Sequence, residues 1–338
     1  MNNEIVQNEK AAQNGTTFSN ACVNSNENAS KKQEKTKYRV DIVSDFLQID
    51  FPPREWLLHP FIQEKGIAMI SAGTGIGKTY FALTIALAIS QGKSFLKFKA
   101  EKPHKVLYID GEMAAEEMQQ RIKTLSIGMG IDPNTNNNLS IWTSDLQPDN
   151  LMPNLSKEDG QKQVEDYLQN NKTDLLIIDN LSVLCNGIRE NDAESWARFQ
   201  DWLLILRRQG YSVLEIQHNG KSGDYRGSSK QQDILNYTIS LKRPDPYSKS
   251  EGARFEVHFG KTRGICGDIV SPFEARLQST QTNDGLEWVM TEVNSEKLEK
   301  AQAEKDKAHE LRAQGKKQKE IAELMGISIG KVNNLLNN

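Results

Sequence analysis

The sequence predicts an α/β fold, a mostly parallel sheet flanked by helices, with a small all-α unit at the C-terminal end. Two observations carry that expectation. Short apolar runs alternate with longer helical patterns through the middle of the chain, the grammar of crossover units. Beyond residue 293 the composition turns charged and helix-favouring, as in "EKLEKAQAEKDKAHELRAQ". With 338 residues, 37% of them hydrophobic, there is material for one large domain and a small appendage.

Residues 1–37 are dominated by Asn, Lys, Glu, Ser and Gln, offer too little apolar surface to offset the entropy of ordering, and read as a disordered polar arm. Residues 38–292 read as the core domain, in which Pro52 and Pro53 set an extended approach to the first buried strand. Strands are expected at "GIAMISA", "KVLYID", "LSIW", "DLLIID" and "YSVLEIQ". Helices are expected at "KTYFALTIALAIS", "AAEEMQQRIKTL", "GQKQVEDYLQ" and "AESWARFQDWLLILRR", whose apolar residues recur at three and four as helices covering a sheet require. After Gly227 the closely spaced runs "YTISLKR", "RFEVHFGKTR", "FEARLQ" and "LEWVM" suggest an antiparallel extension of the same sheet. Residues 293–338 read as a linker helix and a helix-turn-helix.

Several classes are excluded early. A formal net charge of -3 argues against a wholesale polyanion binder, although a local basic surface can hide inside such an average. Cys22, Cys185 and Cys266 stand far apart without a CxxC pair, so neither a zinc site nor a disulfide framework is suggested. The polar start and the lack of a long apolar run lead to the expectation of a cytoplasmic protein.

The most informative stretch is "AGTGIGKTY", Ala72, Gly73, Thr74, Gly75, Ile76, Gly77, Lys78, Thr79 and Tyr80, between a buried strand and a helix. That is the context of a phosphate-binding loop. Glycines let successive N–H groups converge on phosphate oxygens while the helix N-terminus adds its positive dipole end. Lys78 is placed to reach β- and γ-phosphates, and Thr79 to offer a hydroxyl to Mg²⁺. Ala72 departs from the stricter pattern, which has Gly there, and is tolerable if its dihedrals are ordinary. "TDLLIIDN" delivers Asp179 to the carboxyl end of a central strand, where it can hold the metal through water. "VLYIDGEM" offers Asp110 and Glu112, of which Glu112 reaches further into the cleft and is preferred as the general base.

Taken in order, "PPREWLLHPFI", "AGTGIGKT", "VLYIDGEM", "LLIIDNLSVL", "VLEIQHNGKSGDYRGSS" and "HFGKTRG" resemble the RecA-like P-loop ATPases. Within them the resemblance is to the RepA-type ring helicases and related phage and plasmid ATPases, over roughly residues 45–290. The resemblance implies ATP and Mg²⁺ as ligands, Glu112 as catalytic base and Asp179 as the metal-side carboxylate. It also implies a γ-phosphate sensor at Gln217 or His218, with His218 preferred. In such rings a lysine and an arginine of the neighbouring subunit complete each site, and Lys261 and Arg263 match that spacing. The segment "GKSGDYRGSSK", with Lys221, Arg226 and Lys230, is then a channel-lining or nucleotide-touching loop.

At the C-terminal end, "QGKKQKEIAELMGISIGKVNNLL" reads as a helix-turn-helix. Gly315 precedes a helix with Ile321, Ala322 and Leu324 inward, Gly326 makes the turn, and Ser328 caps a helix bearing Val332 and Leu335. Lys331, Asn333 and Asn334 are candidate contacts to duplex DNA, and Lys316, Lys317 and Lys319 form a basic edge for the backbone. Helical hairpins of this pattern also serve as partner-docking modules.

Two functions compete. One is a DNA motor: a homo-oligomeric ring, expected as a hexamer, that hydrolyses ATP while its core holds single-stranded DNA, as a helicase in replication. The other is an ATP-switched DNA-binding regulator or loader with slow turnover. The set Lys78, Thr79, Glu112, Asp179 and Arg263 favours turnover; the appended helices favour the switch. A small-molecule kinase is disfavoured, since no acceptor site is evident.

Overall fold

The computed structural model describes residues 38–186, 193–219, 233–281, 284–293 and 295–337. The polar arm 1–37 and the loop residues Lys221, Arg226 and Lys230 therefore lie outside the described residues. The chain divides into two units, Met1–Pro52 and Pro53–Asn338. In the first, the described segment holds one short helix, α1 (Val43–Phe46), with the rings of Phe46 and Phe51 5.8 Å apart.

The second unit begins with a hairpin of β1 (Trp56–Leu58) and β2 (Ile62–Gln63), followed by β3 (Ile67–Ala72) and α2 (Lys78–Gln91). A second small hairpin, β4 (Ser94–Phe95) with β5 (Phe98–Lys99), leads to β6 (Val106–Asp110), α3 (Ala115–Gly128), β7 (Leu139–Thr143) and α4 (Glu158–Asn171). Then come β8 (Leu175–Asp179), α5 (Leu181–Leu184), α6 (Ala193–Gln209) and β9 (Ser212–His218). The chain continues through β10 (Tyr237–Lys242), β11 (Arg254–Thr262), β12 (Phe273–Ser279) and β13 (Leu286–Glu292). It ends in α7 (Ser295–Ala313), α8 (Gln318–Met325) and α9 (Ile329–Asn337).

Nine strands form one sheet in the order β13-β12-β11-β10-β3-β9-β8-β6-β7. From β10 to β7 every pairing is parallel, and β11, β12 and β13 add on in antiparallel fashion; β10, expected from its close spacing to belong to the antiparallel extension, instead runs parallel to β3 and only its other edge is antiparallel. Both faces of the parallel part are buried, because alternate residues feed two cores. Ala68, Ile70, Tyr108, Ile177 and Leu214 face the core that contains α2, while Ile67, Met69, Leu107, Ile178 and Val213 face Val164 and Leu168 of α4 and Phe199, Trp202 and Leu206 of α6.

One helix departs from the amphipathic expectation. α2 is buried from Phe81 to Ser90 on all sides rather than along one stripe. Its outer side is covered by β11, β13 and the second hairpin. The ring of Phe81 meets those of Phe95, Phe98, Phe255 and Trp288 edge-on at 5.7, 5.9, 5.6 and 5.7 Å, and Trp288 Nε1 donates to Thr84 Oγ1 at 2.8 Å.

At the C-terminal end α7, α8 and α9 enclose a separate small core of Ala308, Ile321, Ala322 and Val332, with Leu311, Met325, Ile327 and Leu335 packed around it. The last turns of α7 thus belong to this unit and are more than a linker. Gly326 ends α8 in the left-handed region at φ 64°, as a turn glycine should. Leu324 corrects the sequence reading: it is 57% exposed, not inward. At roughly 100° per residue, Ile321, Met325 and Ala322 share one arc and Leu324 falls about 60° outside it.

Candidate active site

The phosphate loop occupies the carboxyl end of β3, the strand at the centre of the sheet. Ala72 is fully buried, sits in the regular ladder between His218 of β9 and Leu241 of β10, and is not among the residues with positive φ, so the missing glycine costs nothing there. Gly77 is different. Its φ is 107°, and a Cβ at this position would stand 2.6 Å from Ala253 Cβ, so conformation and space both demand glycine. Gly73, Thr74 and Gly75 lie along the open part of the loop, whereas Ile76 is buried and pins it to the core.

Lys78 opens α2 with its side chain only 7% exposed. Its Nζ lies 3.0 Å from His218 Nδ1 and 3.1 Å from Nε2, and Nε2 is also 3.0 Å from Asn180 Nδ2. Burial depresses the Lys78 pKa, while Asp179, Glu112 and Asp110 pull it back up. Burial, then the Lys78 charge, lowers the His218 pKa, so a neutral imidazole accepts hydrogen bonds here. A buried ammonium held by a neutral ring and set among carboxylates is ready for an anion that is stronger than any of its present partners.

Asp179 ends β8 almost wholly buried, and burial raises its pKa against the opposing pull of Tyr108, Lys78 and Thr79. Tyr108 Oη donates to Asp179 Oδ2 at 2.6 Å. Burial also pushes Asp110 up to about 6, and its Oδ1 accepts the backbone N–H groups of Glu112 at 3.0 Å and Met113 at 2.6 Å. Asp110 therefore shapes the turn after β6. That turn leaves Glu112 half-exposed, with Oε2 3.9 Å from His218 Nε2.

Of the two candidate sensors, only His218 meets Lys78. Gln217 points to the opposite face of β9, where its Nε2 donates to Glu215 Oε2 at 3.3 Å. The ring of Tyr80 packs under Arg121 of α3, 4.6 Å from the guanidinium carbon, away from the Lys78 cluster. Three contributors had no sequence signal as site residues: Tyr108, Asn180, and Arg243, whose guanidinium donates to the Gly75 carbonyl at 2.7 Å. Their parts depend on strand pairing, which brings together residues far apart in sequence.

Lys261 and Arg263 sit elsewhere. Thr262 pairs with Tyr237, and Tyr237 pairs with Ala68 at the start of β3. The two cations are thus level with the amino end of β3, roughly 13 Å along the strand from Ala72 at about 3.3 Å per residue. Lys261 Nζ and Arg263 Nη2 both donate to the Asp233 carbonyl, at 3.2 and 2.8 Å.

In the C-terminal unit Lys316, Lys317 and Lys319 are exposed, as is Asn334. Ser328 Oγ accepts the Lys331 N–H at 3.1 Å, the capping contact expected of it. Lys331 Nζ is paired with Glu304 at 2.7 Å, and Asn333 accepts from Gln318 at 3.1 Å.

Comparison with known proteins bears on this arrangement. The AAA-domain family matches residues 32–224, more than half of the 338 residues. The chain belongs to the AAA-domain family. A KaiC-like protein from the hyperthermophilic archaeon Pyrococcus horikoshii OT3 is similar in structure at a TM-score of 0.48 and 12% identity, over 69% of this chain and 93% of that one. No curated protein matches the chain. The AAA domain is built on a large, mostly parallel sheet flanked by helices, with the phosphate loop on its central strand. No described helix of the protein is long and apolar enough to cross a membrane.

The residues of the AAA domain fit a magnesium–triphosphate. Among the described residues no group of three His, Cys, Asp or Glu side chains could hold a metal ion. Thr79 pulls the Asp179 pKa down against its burial, so hydroxyl and carboxylate stand near one another.

Proposed function

We propose that the protein is an ATP-hydrolysing, ring-forming motor of the RepA type that acts on DNA in replication. The observation that carries the reading is the separation between the phosphate loop and the Lys261–Arg263 pair. The two stand at opposite ends of the same strands, so a cation pair of this chain meets a triphosphate only when a second copy presents one. Repetition of that contact closes a ring, with six subunits as the expectation.

Lys78 leaves His218 for the β- and γ-phosphates, exchanging a neutral acceptor for a charged one. The imidazole of His218 is then free to hydrogen-bond the terminal phosphate and report its presence. Mg²⁺, held by Thr79 and Asp179, would neutralise charge on the same two phosphates. Glu112 takes the proton of the attacking water, and its half-exposed position beside His218 gives that water access. The neighbour's Arg263, with Lys261, offsets the charge that develops on the transferred group. The core is read as holding single-stranded DNA, and the C-terminal helices as holding duplex DNA through Lys316, Lys317, Lys319, Lys331, Asn333 and Asn334 around the cap residue Ser328.

A second reading is favoured by that C-terminal unit: ATP sets the assembly state of a DNA-binding regulator or loader, and turnover is slow. One experiment separates the two. ATP hydrolysis is measured without DNA, with single-stranded DNA and with duplex DNA, while mass in solution is recorded. Stimulation by single strands together with a ring-sized mass is the expected result. Slow hydrolysis indifferent to DNA, with tight duplex binding, would overturn the motor in favour of the switch.

A further inference from the structure

We infer that the outward arc of α9 reads base edges in the major groove of duplex DNA, with Gly330 as the gap through which the helix closes on the bases and Asn333 and Asn334, on either side of it, as the residues that take adenine. The inference rests on the duplex-binding reading of the C-terminal helices given above and adds that the contact is sequence-specific.

Val332, Leu335 and Leu336 turn one side of α9 toward the small core. At about 100° per residue, Gly330, Asn333 and Asn334 fall on the opposite arc, where all three are exposed. The fold gives no reason for glycine at 330. The residue is not in the left-handed region, and a Cβ there would meet only Ser328 Oγ, at 3.9 Å, an ordinary contact. Glycine weakens a helix, so a helical position that neither strain nor crowding reserves for it points to close approach of the backbone by something outside the chain.

The chemistry around that gap suits a base. Side chains lean toward the amino end of a helix, so Asn334 lies over the turn that Gly330 leaves bare. Among the described residues nothing hydrogen-bonds the Asn334 carboxamide. Asn333 is oriented, because Gln318 Nε2 donates to its Oδ1 at 3.1 Å. An asparagine amide matches N6–H and N7 of adenine as a bidentate pair, and Ile329, at the rim of the arc and 49% exposed, offers apolar contact to a thymine methyl. Charge surrounds the arc and is absent from it. α9 carries no acidic residue, and Gln318 brings the amino end of α8 to its edge, with exposed Lys316, Lys317 and Lys319 beside it for phosphates. A protein partner would call for an apolar anchor at the centre, where this face has glycine between two amides.

The test uses the full chain and a pool of duplexes randomised over about ten consecutive base pairs, one turn of the double helix. Selection by the wild type is expected to enrich a motif with invariant A·T pairs. On the enriched duplex Asn334→Ala is expected to bind roughly tenfold more weakly and to relax one adenine position on reselection, with its affinity for a duplex of unselected sequence within about twofold of wild type. Gly330→Ala is expected to lose a similar factor on the enriched duplex although its melting temperature is no lower than wild type, since alanine favours the helix. Duplex binding with no enriched motif would overturn the inference alone, leaving the lysines as a grip without sequence preference. So would Asn334→Ala or Gly330→Ala protein that binds the enriched duplex as wild type does. Wild-type protein that binds no duplex would sink the duplex reading itself, and this inference with it, leaving the face to a protein partner.

Discussion

The two ends of the parallel strands carry opposite halves of one chemistry. At the carboxyl ends of β3, β6, β8 and β9 the charged groups are packed among one another: Lys78 and Asp179 are buried, and each is pushed toward its neutral form by desolvation. At the amino end of β10, Lys261 and Arg263 lie toward the surface and both donate to the Asp233 carbonyl. The first arrangement is preorganised and costs stability without its ligand; the second is cheap and faces outward. On the proposed function, one end receives an anion and the other delivers charge to a neighbour's.

The largest expected effect tests the receiving end. Lys78→Ala removes the buried cation of that cluster, and nucleotide binding and hydrolysis are expected to vanish together; retained binding would show that the backbone N–H groups suffice. Next comes the delivering end. Arg263→Ala should cut hydrolysis by ~10³ to 10⁵ with nucleotide binding retained. Mixing Arg263→Ala subunits with Lys78→Ala subunits should restore part of the rate, because each mixed interface pairs an intact loop with an intact arginine. Absence of recovery would break the comparison, since the two ends would then not meet across subunits. Glu112→Gln should slow turnover by ~10² to 10⁴ while ATP stays bound, measured as trapped nucleotide against steady-state rate.

A smaller effect lies behind the receiving end, on the other face of β9. Glu215 is fully buried and burial raises its pKa from 4.5 to about 8. The folded state thus holds a proton that the unfolded chain releases. Stability from this group is fully present below pH 4.5 and is lost as pH rises through about 8. Glu215→Gln should therefore have a higher melting temperature than wild type at pH 8, with the difference fading toward pH 4.5. A difference independent of pH would assign the effect to packing. The smallest effect is local: Ser328→Ala loses the cap of α9 and should cost ~1 kcal/mol in unfolding of the C-terminal helices, leaving ATP hydrolysis without DNA unchanged.

Much of the fold was legible before any coordinates. Five of the six parallel strands and the four long helices of the core lie where periodicity placed them, because period and turn residues are local properties. The surroundings of α2 were not legible, since its cover comes from Phe255 and Trp288, far along the chain. The two small hairpins escaped for a different reason: strands of two or three residues carry too little pattern to register. Within the site, Lys78, Asp179 and Glu112 were readable from motif spacing, and the preference for His218 over Gln217 rested on resemblance until strand alternation placed them on opposite faces. Leu324 was misjudged because a spacing of three from Ile321 allows either edge of a helical face, and only the neighbouring helices choose between them.

The sequence by itself determined the alternation of strand and helix, the phosphate loop with Gly75 and Gly77, both at positive φ, and the carboxylates at and just after the ends of β6 and β8. These are set by residues within a turn or two of one another. Only the tertiary structure decided that Lys78 rests against His218, that Tyr108 supports Asp179, that Arg243 borders the loop, and that Lys261 and Arg263 stand at the far end of the strands. Each of these depends on which strand lies beside which and in what register, and sheet pairing is an interaction between distant residues that no local pattern encodes.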